Sequence, residues 1–226
     1  MKLNFSKEVG ERFTGLGVYC AELVDVNNHV ENRELIAYIS SAVENIKKEH
    51  VLERLVQNKF VRAYRDFFWR IGIDPTKTRP SAEALLRRVL AGRDFPRINP
   101  LVDVYNVVSM QSLLPIAAFD VEKLKGELLM KFANVGELFL GIGMDKPVAL
   151  TGKEVVVRDD EKLVAIYPYR DADATKVTSA TRHVFLMVCG VPGIELDYLQ
   201  NTGETLVKQV MKFCGGTPLT QYLATA

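Results

Sequence analysis

The run RINPLVDVYNVVSMQSLLPIAAFD, residues 97–120, constrains the fold more than any other stretch of the chain. Asn99-Pro100 is a helix start. An Asn side chain can accept from the free N–H groups of a first turn, and Pro at the first helical position loses no hydrogen bond. Leu101, Val104, Val107 and Val108 then recur at helical spacing and make one apolar face. On another face Asn99, Asp103 and Asn106 line up at i, i+4 and i+7, with Ser109 and Met110 just beyond. Asp and Asn are poor in a helix interior because their short side chains compete for the backbone. Two of them inside a β-branched, apolar helix point to a face that meets something other than bulk water, since functional sites are where local propensity is violated. A plainer reading fits the same residues: Asn99 as a cap, Asp103 and Asn106 on a solvated face or bracing a loop.

Upstream, residues 2–5 and 15–26 read as strands from their apolar, β-branched composition. Residues 31–71 read as helix, broken near Glu49–Val51. Leu35, Ile36, Ile39, Val43 and Ile46 form the apolar face of its first half; Leu52, Leu55, Val56, Phe60, Phe67, Phe68 and Ile71 form that of its second. Opposite the second face stand Arg54, Asn58, Arg62 and Arg65, then Trp69, a stripe that can track a phosphate backbone or simply be solvated. After a turn at Arg79-Pro80, Ser81 is expected to cap a helix with Glu83 in its first turn and Arg87 and Arg88 facing outward. Segment 54–97 carries eleven Lys/Arg against four Asp/Glu, although the whole chain is only +1. A locally basic middle on a near-neutral protein fits a limited phosphate-contacting surface, with Arg54, Arg62, Arg65, Arg79, Arg87 and Arg88 as the RNA-contacting candidates.

Downstream, segments 127–132, 137–142, 154–157 and 163–167 are short and β-rich, and 182–189 reads as a buried strand. Asp159-Asp160-Glu161 is expected to be a tight turn, because metal loops need more oxygen ligands at defined spacing. In 170–181, Arg170, Thr175, Lys176, Thr178 and Thr181 concentrate donors for a carboxylate, a phosphate or a ribose, unless the run is merely a loop of side-chain turns. Residues 194–214 read as a final amphipathic helix, and the tail TPLTQYLATA as peripheral.

Composition excludes several classes. The chain is 48% apolar and 25% charged, ordinary for a globular domain, and no apolar run approaches a membrane span. The first residues lack the apolar core of a signal peptide, so a cytoplasmic protein is expected. Cys20, Cys189 and Cys214 are odd in number and widely spaced, which argues against a disulfide framework or a zinc site. There are three histidines, none beside a nucleophile signature, and neither a nucleophile elbow nor a phosphate-binding glycine loop is present. No metal or cofactor is expected.

Four blocks taken together carry a resemblance: WRIGIDPTKTRPSAEALLRRVL (69–90), RINPLVDVYNVVS (97–109), DATKVTSATR (173–182) and FCGG (213–216). With Asn99, Val102, Asp103, Val104, Asn106, Pro115, Ala118, Phe119 and Asp120, they resemble the editing domain of the phenylalanyl-tRNA synthetase beta subunit, the B-three/B-four domain. The wider pattern looks even closer to free-standing proteins built from that domain alone, and the resemblance covers roughly residues 60 to 216. The editing domain removes tyrosine wrongly attached to the phenylalanine tRNA. The resemblance implies an α+β fold, a mixed β-sheet flanked by helices. Residues 1–60 would be an N-terminal strand-and-helix part packed on an editing-like domain, 61–226. It also implies tRNA or aminoacyl-tRNA as partner, with a synthetase as a second possible partner.

Two functions follow from it, with a third beside them. The first is a trans-acting deacylase acting on a mischarged tRNA, in which a positioned water suffices because the ester is activated. Asp103 and Asn106 are then the catalytic candidates, and Asn99, Ser109, Arg170, Thr175, Lys176 and Thr181 the substrate-binding ones. The second is a non-catalytic module that binds tRNA or an amino acid. The third is an enzyme acting on a small amino-acid-like molecule. Two departures from the bacterial pattern stand at the implied pocket: Ala117 where a His precedes A-F-D, and Tyr105 where a Thr is usual.

Overall fold

The computed structural model describes residues 1–29 and 33–226. The expected helix start at 31 and 32 lies outside them; the described part runs as α2, Arg33–Glu49, then a short 3-10 turn, Leu52–Gln57, then α3, Lys59–Arg70. The break near Glu49–Val51 is present. A second break at Asn58, whose backbone is extended and whose Oδ1 caps α3 by accepting from Phe60 N, was not expected. It dissolves the Arg54–Trp69 stripe: Arg54 lies on the 3-10 turn, while Arg62, Arg65 and Trp69 belong to a helix with its own start.

The remaining elements are β1 (Leu3–Phe5), α1 (Lys7–Arg12), β2 (Gly17–Val24), α4 (Ser81–Leu90), α5 (Pro100–Ser112), β3 (Ile116–Asp120), β4 (Leu128–Phe132), β5 (Leu138–Phe139), β6 (Val148–Ala149), β7 (Val155–Arg158), β8 (Leu163–Ile166), β9 (Arg170–Asp171), β10 (Val184–Cys189), α6 (Leu196–Cys214) and β11 (Thr217–Thr225). The architecture is α+β. One sheet has the order β1-β4-β7-β8-β9, with β1 parallel to β4 and the other pairs antiparallel. A second, antiparallel sheet has the order β11-β2-β10-β3, and β5 and β6 form a hairpin apart. Residues 1–60, expected as a part packed on the main domain, lend a strand to each sheet. The tail expected to be peripheral is instead β11, paired with β2 along its length, with Ala224 buried in the register opposite Val18.

Helix α5 sits at the centre, in contact with α2, α4, α6 and β3. Leu101, Val102, Val104, Val107, Val108 and Met110 are all buried, so the helix is apolar nearly all round, the pattern of a helix enclosed on every side. Asn99 caps it by accepting from Val102 N at 3.0 Å. It ends at Leu113, whose φ of 62° is left-handed; that turn aims the chain through Leu114 and Pro115 into β3. The β-carbon makes this conformation cost about 1 kcal/mol in Leu, offset here by burial of its side chain. Helix α6 covers β2, and its Gly203 is the point of closest approach: a Cβ there would lie 2.0 Å from Cδ1 of Tyr19. Replacing Gly203 with Ala therefore gains helix propensity but forces the Tyr19 ring aside. The expected net destabilisation is about 2 kcal/mol, read as a lower midpoint in urea unfolding.

Candidate functional site

The two sheets meet where β3 runs beside β9, and there α4, α5, β3 and the 167–171 turn enclose a stepped cleft. Buried Tyr167 ties the turn to the end of β10 by donating to Gly190 O, and Tyr64 on α3 donates to the neighbouring Cys189 O at 2.5 Å. The outer cavity, about 710 Å³, is walled by Arg79, Ser81, Arg87, Arg88, Arg93, Asn106, Ser109, Ile116, Tyr169 and Arg170, among others. The inner cavity, about 240 Å³, shares Ser81, Asn106, Ile116, Tyr169 and Arg170 with it and continues to Tyr105, Ala117, Ile142, Asp171 and Cys189. Of the sequence candidates, Asn106, Ser109, Arg170, Arg79, Arg87 and Arg88 are brought together here. Ser81, expected as a cap, is instead the first residue of α4 and lies on this wall, because Pro80 holds the cap position.

Five arginines around one mouth give it a strong positive field. Arg170 donates from Nη1 to Ile142 O at 2.6 Å and stacks on the Tyr169 ring at 5.0 Å, which fixes the guanidinium between the two cavities. Glu83 anchors the α4 side. Its carboxylate is 2% exposed and accepts from Arg65 Nε and Nη2 at 2.8 and 2.6 Å and from Arg87 Nε at 2.6 Å. Burial pushes this carboxyl up, but the hydrogen bonds from Arg65 and Arg87 outweigh it and hold the pKa below its ordinary value. Arg65, a candidate for RNA contact, is thus drawn into a structural clasp, and Arg87 is shared between the clasp and the wall. Arg54 is exposed on the 3-10 turn, and Arg62 lines a separate groove with Lys59, Asp66 and Arg70.

The other candidates lie elsewhere. Asp103 is 1% exposed, and its carboxylate folds back on the preceding segment, accepting from Ile98 N at 2.8 Å and from Arg97 Nε at 2.6 Å. It is off the walls of both cavities, as is Asn99 with its side chain spent on the cap. Lys176 pairs with Asp173 at 2.7 Å, and Thr181 donates to Asp120 Oδ2 at 2.8 Å. Thr175 is buried close by with no partner for its Oγ1 among the described residues. These three gather round Asp120, four residues along β3 from Ile116, about 13 Å at the rise of a strand. Asn28 links this region to α5, donating to Thr178 O and accepting from Leu101 N, both at 2.8 Å.

Asp171 is the wall residue that sequence reasoning missed. Its Oδ2 accepts from Ala118 N at 3.3 Å, and it has no ion pair among the described residues. Burial pushes its pKa up from the usual carboxylate range to about 7, only partly offset by the Ala118 hydrogen bond. The cysteines are not poised as nucleophiles: burial pushes Cys20 and Cys214 up to about 12. Asp159 is 2% exposed and organises the β7–β8 turn, accepting from the N–H groups of Glu161 and Lys162 and from Lys162 Nζ. His183 pairs through Nε2 with Glu22 at 2.7 Å, and Glu22 also accepts from the Met1 amino group. Among the described residues, no three His, Cys, Asp or Glu side chains group to hold a metal ion, and no helix is long and apolar enough to cross a membrane.

The B3/4 domain model matches residues 63–203, more than half of the chain, and the chain is a member of the B3/4 domain family. It is similar to the phenylalanine–tRNA ligase beta subunits of Fusobacterium nucleatum, 32% identical over 117 residues, and Nocardia farcinica, 35% identical over 115 residues. These matches cover 51% of this chain in both cases, but only 14% and 13% of the respective relatives. That of Rhodopseudomonas palustris is 26% identical over 165 residues, 63% of this chain and 20% of the relative. A crystal structure of an N-terminal fragment of the phenylalanyl-tRNA synthetase beta subunit from Pyrococcus horikoshii shares the fold at a TM-score of 0.50 and 14% identity. It covers all of this chain and 54% of that one.

Two outcomes check the site. Glu83→Gln leaves Arg65 and Arg87 without a charged partner and should destabilise the protein by about 2 kcal/mol, below the full cost of breaking a buried pair because both arginines reach water. Denaturant unfolding measures it. For Asp171, the folded pKa is raised, so its stabilising contribution is complete below the unfolded value and is lost as pH rises through about 7. Asp171→Asn should therefore melt higher than wild type at pH 8, with the gap closing toward pH 5.

Proposed function

We propose that the chain is a trans-acting deacylase that hydrolyses the ester of a mischarged tRNA. The observation that carries this reading is the stepped cleft itself: a mouth ringed by arginines opening onto a smaller chamber of amino-acid size. The arginine ring suits the phosphates and terminal nucleotide of a tRNA acceptor end, while the inner chamber suits the aminoacyl group. The family membership and the likeness to ligase beta subunits support tRNA as the partner, and a synthetase as the protein from which the substrate would come.

Chemistry at such a site needs no nucleophilic side chain. An aminoacyl ester is activated, so a water held at the carbonyl and donors aimed at the developing oxyanion suffice. Asn106, at the junction of the two cavities, is the residue to orient that water through its amide. Arg170, with Nη1 already engaged and its ring partner fixing the plane, is the donor for the oxyanion. Ribose hydroxyls of the tRNA can complete the proton path. Asp103 takes a positioning role, holding Arg97 and the start of α5; Asn99 does so as the cap. Thr175, Lys176 and Thr181 brace the loop that closes on Asp120 and lie outside the reacting centre. Ala117 leaves the chamber wider where a histidine would intrude.

The test is deacylation of a panel of mischarged tRNAs. Wild type should accelerate loss of the amino acid from at least one member. Arg170→Ala should lower the rate constant about 100-fold, the scale of removing one oxyanion donor. Arg88→Ala should instead weaken tRNA binding and reduce its dependence on salt by about one phosphate contact. Binding without turnover on any member would replace the hydrolase with a tRNA-binding module.

A further inference from the structure

The inner chamber ends on a carboxyl that makes no ion pair among the described residues. Asp171 is fixed from several sides. Its backbone pairs with Ala165 of β8, its carbonyl accepts from Ile142 N at 2.9 Å, and Oδ2 accepts from Ala118 N at 3.3 Å. The other carboxylate oxygen has no protein hydrogen bond among the described residues, and the residue keeps partial exposure on the chamber wall. Around it the chamber is walled by Tyr105 from α5, Ala117 from β3, Cys189 from β10 and the neighbouring Arg170, with the Ala118 N–H on its Oδ2. Arg170 is committed through Nη1 to Ile142 O rather than to Asp171, so this cation of the chamber wall is turned to a different task.

Adjacent residues thus offer opposite charges to one small chamber: a guanidinium at its entrance and a carboxyl at its floor. That pair complements a group with a carbonyl oxygen and an ammonium a few bonds apart, the signature of an α-aminoacyl group. We propose that Asp171 is a specificity-determining residue that binds the α-ammonium of the aminoacyl group, while Arg170 takes the acyl oxygen. This inference rests on the deacylase reading and names its recognition element. Because this half-buried carboxylate has no ion pair among the described residues, the ligand's ammonium supplies the missing charge, a charge-assisted hydrogen bond in a chamber of low dielectric. Burial that lifts the acid toward neutrality is consistent with a site held at a cost until its cation arrives. An uncharged acyl group offers no such compensation and is rejected.

The experiment uses hydrolysis-resistant analogues in which an acyl group is joined by an amide to 3′-amino-3′-deoxyadenosine. Binding of the alanyl analogue and of its propionyl counterpart, which lacks only the amine, is measured calorimetrically with wild type and Asp171→Asn. Asn keeps an acceptor for Ala118 N–H, and a melting curve verifies that the variant is folded. Wild type should prefer the alanyl analogue by about tenfold or more, and the variant should bind the two alike with the propionyl affinity retained. Equal binding of the pair by wild type, or an unchanged preference in the variant, would overturn the role of Asp171. A preference for N-acetyl-lysyl over N-acetyl-norleucyl analogues, with none for the α-amine, would also overturn it, by moving the ammonium to the side chain. If wild type hydrolyses mischarged tRNA while showing equal binding, the deacylase reading stands and only this inference falls. If it neither hydrolyses the tRNAs nor binds either analogue, both fall.

Discussion

A helix that is apolar on nearly every side has to be wrapped, and α5 imposes that requirement on the rest of the molecule. Its valines and leucine cannot be solvated, so α2, α4 and α6 close around it and β3 lies alongside. The left-handed turn at Leu113 then fixes the direction in which β3 leaves. Since β3 edges one sheet and touches β9 of the other, the orientation of α5 also sets the seam between the sheets. The cleft is a consequence of that seam. Asn106 and Ser109 are the polar positions of α5 that open onto it, and Ser109 is tied back by donating to Leu114 O at 2.7 Å.

Electrostatics are arranged around the same helix. Positive side chains come from α4 and the segments flanking it and from Arg170 on β9, and one buried acid, Glu83, keeps the α4 side rigid by binding Arg65 and Arg87. The negative group, Asp171, lies on the β9 wall of the inner chamber beside Arg170. The chain belongs to the B3/4 domain family and shares its fold with a ligase beta-subunit fragment, and Ala117, Tyr105 and Asp171 line the inner chamber.

The parts legible in sequence were those decided by local physics. Asn99-Pro100 states a cap and a first turn, and it caps α5 as written. Helical spacing marks α5 and α6, and β-branched runs mark β2 and β10. What failed depended on partners distant in sequence or on a local signal outweighed by a longer pattern. Asn58 carried a cap signal, but the arginine spacing across it looked continuous. Asp103 shares a helical stripe with Asn106, and nothing in that spacing says that Arg97 takes one of them out of the cleft. The β11 segment is polar on one side because it is a sheet edge, so its alternation was masked by Thr and Gln. Asp171 sits in a run, YRDADATK, with the composition of a surface loop. Only the tertiary packing of β3 against β9 half-buries it on the chamber wall.

The central claim is that ligand enters the cleft between α4, α5 and β9, rather than the threonine-rich loop around Asp120. Chemical-shift mapping of the isotope-labelled protein with a short hairpin RNA that mimics a tRNA acceptor end tests it most directly. The account predicts that shifts concentrate on the amides of Arg88, Asn106, Ile116 and Arg170 and fade toward Asp120. Shifts centred on Thr175, Lys176 and Thr181, with the cleft unmoved, would contradict it.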